Sequence, residues 1–174
     1  MYKRQVLDYS NPQDLTIVLG FMHLIAGLTT NQMIERFGRR TLISLGLFII
    51  CISYLGILSS LLYNMKILGL LFIFSYKISF CMACGGSIMV YQSEILPAYI
   101  IPFAIVFQNI FVILISYTTL PLVNSIGIYA LFMIFWVMGL IGFVIFYGYA
   151  VETKEKKDSV VIEEFMRKKF FRKL

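Results

Sequence analysis

The chain has 174 residues, of which 60% are hydrophobic and 14% charged, with a formal net charge of +6. That much apolar surface exceeds what one soluble core of this size can bury, so an ordinary soluble domain is excluded and lipid becomes the main solvent. The basic residues cluster, at Arg36, Arg39 and Arg40 and again from Lys154 onward, a pattern that sets membrane topology and argues against a nucleic-acid surface.

Residues 1–14 contain no apolar stretch of the kind a signal peptide needs, and are expected to form an extracellular stub. MYKRQ, residues 1–5, is what a transposon end used in sequencing libraries yields in one frame with a GTG start. It is expected to be non-biological; the alternative is a stub with two ordinary basic residues.

Apolar segments follow at Leu15–Ile34, Thr41–Tyr63, Ile67–Tyr91, Ala98–Val123 and Ile126–Ala150. Each is long enough to cross about 30 Å of hydrocarbon as a helix. None shows the alternating polarity of a barrel strand, and backbone groups in lipid must be bonded within their own segment. The expected fold is all-α: a polytopic membrane helix bundle of five spans over residues 15–150. The loop containing Arg36 and the tail are four crossings apart and share a side, which the positive-inside rule makes cytoplasmic. The amino terminus is then outside, and Asn64–Lys66 and Asn124–Ser125 are short outer loops between antiparallel neighbours. An odd number of spans after an undirected, exported start points to missing upstream sequence.

Residues 151–174 form the expected cytoplasmic tail. Val161, Ile162, Phe165, Met166 and Phe170 recur at helical spacing opposite Glu163, Glu164 and Lys168, as in an amphipathic helix. Docking beneath the bundle is favoured over anionic lipid, because the acidic pair disfavours lipid.

Polar residues inside the spans are costly, and so informative. His23 either lines a polar pathway or makes one hydrogen bond to a packed neighbour; Asn31 and Gln32 lie nearer the cytoplasm. Lys77 lies about ten residues, roughly 15 Å, into its span, too deep for easy snorkelling. Phe80, Cys81 and Cys84 share its helical face. A cationic cavity wall is expected there; the alternative is snorkelling to the outer surface with local bilayer thinning. Gly85 and Gly86 supply either a flexible break in the helix or a close packing surface. Cys81 and Cys84 have no His or Cys cluster around them, so neither a zinc site nor a redox motif is expected. No phosphate loop, triad or metal-ligand series is visible, and neither an enzyme nor a cofactor is expected.

Glu35, Arg36, Arg39 and Arg40 flank the first inner loop, Glu94 ends the third span and Glu152 follows the last. All meet at the cytoplasmic face. Opposed charges in a partly desolvated boundary favour a bonded network, with Glu94 expected about 2.7–3.2 Å from one of the arginines. The alternative is a set of solvated topology charges.

These motifs resemble the carboxy-terminal half of a sugar porter of the major facilitator superfamily. That family's pattern runs D/E-R-x-G-R-R, G-P-x-x-W-x-x-x-x-E-I-F-P, N-W and P-E-T-K-G. Here the matching stretches are Glu35 to Arg40, Gly85 to Pro97, Asn109-Ile110 and Val151 to Glu155. The resemblance covers nearly everything after residue 14 and implies helices eight to twelve of a twelve-helix transporter. The seventh helix, with its paired-Gln sugar site, and the whole amino-terminal half would be missing.

By resemblance the charge network locks the outward-open state, and the substrate-binding set is His23, Lys77, Phe80, Gly85, Gly86, Met89 and Asn109. His23 stands where sugar porters commonly carry a substrate-facing Asn. Departures accompany the matches: Met89 and Ile110 replace tryptophans, Gly86 and Val151 replace prolines, and the interval from Glu94 to Asn109 is three residues short. Aromatic stacking on a sugar is thereby weakened. The implied function is part of a plasma-membrane transporter moving a hexose, related polyol or sugar acid by alternating access. The partners are the sugar, the bilayer and the missing half, and the chain alone is expected not to transport. A degenerate half-porter acting as a membrane interaction or sensor protein is the alternative.

Overall fold

The computed structural model describes residues 12–153. The proposed stub artefact and the amphipathic tail lie outside the described residues.

The helices are α1 (Pro12–Phe37), α2 (Arg39–Leu62), α3 (Lys66–Phe80), α4 (Ile88–Ile95), α5 (Ile101–Ile126) and α6 (Ile128–Tyr149), with a π-helical segment, Cys81–Ser87, joining α3 to α4. The described residues form an all-α bundle. Four stretches are long and apolar enough to cross a membrane: Arg39–Leu62, Lys66–Ile95, Ile101–Ile126 and Ile128–Tyr149. The first expected span, Leu15–Ile34, falls within the 26-residue α1. Among its described residues the apolar stretch runs Thr16–Thr30, where the Thr29 and Thr30 hydroxyls donate back to the Ala26 carbonyl at 3.0 and 2.6 Å.

At the centre of the bundle is α2, packed against α1, α3, α4, α6 and the π-helical segment. Its small residues admit close neighbours. A Cβ on Gly46 would come 2.5 Å from the Ala83 Cβ, and one on Gly56 would strike the Phe72 ring. Helices in lipid gain little from apolar burial against each other, so such close approach is a main source of packing energy. By contrast α5 packs chiefly on α6 and has no buried residue.

Two turns differ from the expected loops. Tyr63–Met65 links α2 to α3, and Asn64 takes φ 52°, a left-handed conformation that asparagine tolerates. The amides of Tyr63 and Met65 donate to Ser59 and Ser60 carbonyls, both at 3.0 Å, closing the helix end. Lys66 therefore starts α3. The other turn is not Asn124–Ser125 but Gly127, at φ +84°. The Ser125 hydroxyl donates to the Leu122 carbonyl at 3.1 Å and stays within the helix, so reversal waits for the glycine.

The long Lys66–Ile95 rod is broken where the sequence has its two glycines. Gly85 leaves the helical region at ψ −105°, while a Cβ there would meet only an ordinary contact, Cys81 Sγ at 3.7 Å. A break, not tight packing, is what this glycine serves. The Ser87 hydroxyl donates to the carbonyl of Met82, five residues earlier, and so satisfies a backbone acceptor that the irregular turn leaves open.

Candidate functional site

The Arg39 and Glu94 side chains meet at the end of the bundle where α2 begins, with Nη2 to Oε1 at 2.9 Å and the two side chains 21% and 28% exposed. Gly38 precedes α2 at φ +83° and ψ 158°, a conformation open essentially to glycine. That bend brings the chain against Glu152, whose Oε1 accepts from the Arg39 amide at 3.1 Å. A carboxylate on the first free N–H of a helix is stabilised by both the bond and the helix dipole. The sequence places an arginine there, and its side chain and its amide hold different carboxylates.

Arg40 reaches the opposite kind of helix end. Its Nη2 donates to the Tyr147 carbonyl at 3.2 Å, and its guanidinium carbon lies 5.7 Å from the centre of the Tyr147 ring. Tyr147 is in the last turn of α6, where carbonyls lack helical partners and a cation is favoured. Just beyond, Val151 is fully buried. Its amide donates to the Tyr91 hydroxyl at 3.0 Å, and that hydroxyl donates to the Val151 carbonyl at 3.1 Å. The Tyr91 ring stands 5.6 Å from that of Phe146. Thus α2, α4 and α6 are tied at one end by Arg39, Arg40, Tyr91, Glu94 and Glu152. Arg36 and Glu35 are exposed at the end of α1, and Glu35 joins no described side chain. Arg39 Nε, Glu94 Oε2 and Gln92 Oε1 are buried there without a hydrogen bond among the described residues.

A second polar locus is an open groove between two helices, well away from the ionic end. A cavity of about 450 Å³ between α1 and α3 is lined by Thr16, Leu19 and His23 on one side and Ile73, Tyr76 and Lys77 on the other. Thr16 and His23 are seven residues apart and share a helix face, which is how α1 presents both to the same space. Tyr76 is positioned from behind. Its ring lies 5.1 Å from Tyr54, which also stands 6.2 Å from Phe132 of α6. The Cys81 thiol contacts the His23 carbonyl at 3.5 Å, holding the π-helical segment against α1.

A model of the sugar (and other) transporter family matches residues 4–164. The chain belongs to this family. It is thereby a multi-pass membrane protein of the major facilitator superfamily, and the family is one of transporters. No curated protein matches it, and no solved structure does.

In this transporter chain the expected substrate set divides. His23 and Lys77 line one cavity. Phe80 is 40% exposed, with its ring 5.9 Å from Tyr76, and Met89 and Gly86 are exposed further along the rod. Gly85 is the break itself. Asn109 lies on α5, exposed, and its Nδ2 donates to the Ile105 carbonyl of its own helix at 3.0 Å. Neither Phe80, Gly85, Gly86, Met89 nor Asn109 lines the His23–Lys77 cavity.

Nor does the expected common face hold beyond Cys81. Cys81 turns to α1, near Gly27, whereas Cys84 lies within electrostatic reach of Tyr54 on α2. A π-helical turn takes more residues than an α-helical one, so a spacing of seven no longer returns to the same face. Tyr76, Tyr91 and Tyr147 were not apparent as site residues in the sequence. Tyr76 had one signal, its place beside the only cation deep in the rod; Tyr91 and Tyr147 had none, because their bonds go to backbone groups.

Proposed function

We propose that the chain is the carboxy-terminal half of a sugar transporter, helices eight to twelve, and moves a hexose or related polyol or sugar acid by alternating access with an amino-terminal half. The junction of Gly38, Arg39, Glu94 and Glu152 carries this reading. It unites all three charged motifs shared with sugar porters, and it joins helix ends through polar contacts, which can break and re-form between two transporter states. Buried but unbonded atoms of Arg39, Gln92 and Glu94 support a further polar partner at the same end, as a docking half would provide. The positive-inside rule supports a cytoplasmic position for this end, and a plasma-membrane location is part of the same proposal.

The test is uptake in proteoliposomes. The chain joined to helices one to seven of a sugar porter should give saturable uptake of D-glucose over L-glucose, and Arg39→Ala should slow it. Equal stereospecific uptake by the chain alone would overturn the half-transporter reading.

A further inference from the structure

Among the described side chains, no carboxylate pairs with Lys77. The carboxylates whose side chains are described, Glu35, Glu94 and Glu152, lie at the ionic end, and the nearest of them along its own rod, Glu94, is roughly 25 Å away by helical rise. No hydrogen bond or ion pair joins the Lys77 ammonium to a described residue. The residue is half-buried, part-way through a thirty-residue membrane stretch. An ammonium held there without a partner is costly, and the cost falls when an anion enters. Lys77 lines the same open cavity as Thr16 and His23, both exposed on α1.

We infer that the cavity between α1 and α3 binds the acidic group of an anionic monosaccharide, a uronate or a sugar phosphate. The Lys77 ammonium supplies the counter-charge, the His23 imidazole a hydrogen-bond donor, and the Tyr76 ring the apolar wall for the sugar's carbon face. The inference rests on the sugar-transport reading and names its substrate class. Among the described residues no arginine lines the cavity, so a single point charge binds the anion without a bidentate fork. A carboxylate and a phosphate monoester are both compatible with that arrangement.

The test is equilibrium binding to the full chain in phosphatidylcholine nanodiscs, with radiolabelled D-glucuronate, D-glucose and the non-sugar anion benzoate as probes. D-Glucuronate should bind at least about tenfold more tightly than D-glucose, the scale of one charge-assisted bond. Lys77→Met should erase that preference and Lys77→Arg should keep most of it. Mass spectrometry of the unaltered chain gives a second readout: D-glucuronate should protect Lys77 from an amine-acylating reagent, and D-glucose should not. Glucose and glucuronate binding equally, or absence of both preference and protection, would overturn the inference while leaving the sugar reading intact. Benzoate matching glucuronate, with both lost in Lys77→Met, would uphold the anion site and count against the sugar reading. Loss of glucuronate binding when phosphatidylglycerol is added would assign the cation to lipid and overturn the inference.

Discussion

The Tyr91 hydroxyl both donates to the Val151 carbonyl and accepts from the Val151 amide, at 3.1 and 3.0 Å. The sugar-porter pattern has proline at this position, which has no N–H to give. In this chain valine replaces the proline, and the tyrosine of the YQSEILP stretch takes up its amide. Tyr91→Phe should therefore destabilise the chain by about 1–3 kcal/mol, because it leaves a buried donor unpaired. Val151→Pro should cost less in the Tyr91→Phe background than alone, since it deletes that orphan donor. The preceding residue, Ala150, is already at φ −63° and ψ 138°, a conformation suited to a following proline. Unfolding in mixed detergent micelles measures the cycle, and strict additivity would count against the bond.

Gly38 is required by its backbone and by its neighbour. An alanine there would adopt φ +83° and bring its Cβ 2.9 Å from Glu152 Oε1. Gly38→Ala should cost about 1–3 kcal/mol from the backbone alone, with more from the clash. Adding Glu152→Ala should recover only the clash component. Full recovery in the double variant would mean that the positive φ carries no cost.

Arg39 and Glu94 should be energetically coupled. Both side chains are mostly shielded from water, so removing one strands the other. A cycle of Arg39→Ala and Glu94→Ala should give a coupling of about 0.5–3 kcal/mol. Arg40 binds a backbone carbonyl instead, and the same cycle between Arg40 and Glu94 should give a smaller value. Equal coupling for the two arginines would place Glu94 in a diffuse field, not in a bond.

Gly46 and Ala83 share one point of contact between α2 and the π-helical segment. Gly46→Ala should destabilise by about 1–3 kcal/mol through overpacking, because the new Cβ would sit 2.5 Å from that of Ala83 and 3.1 Å from the Ser79 carbonyl. Ala83→Gly should relieve the first clash and restore part of the loss. No rescue would assign the cost to the Ser79 backbone.

The sequence by itself determined the class of structure and where its ionic end lies. Long uncharged runs force helices in lipid, since no other element bonds its own backbone, and Arg36, Arg39, Arg40, Glu94 and Glu152 stand at helix ends because charge is excluded from the runs. It could not determine which groups meet. That Arg39 binds Glu94 with its side chain and Glu152 with its amide depends on the bend at Gly38, and that Arg40 holds Tyr147 depends on where α6 stops. His23 and Lys77 were visible as costly polar residues, but sharing a cavity is a relation between two helices distant in the chain. Phe80, Met89 and Asn109 mark the limit of a pattern-based reading. A π-helical turn rephases the rod after Phe80, and α5 turns Asn109 back on its own backbone. Helical periodicity predicts faces only while the period holds, and neither the break at Gly85 nor the packing that selects each face is encoded in local spacing.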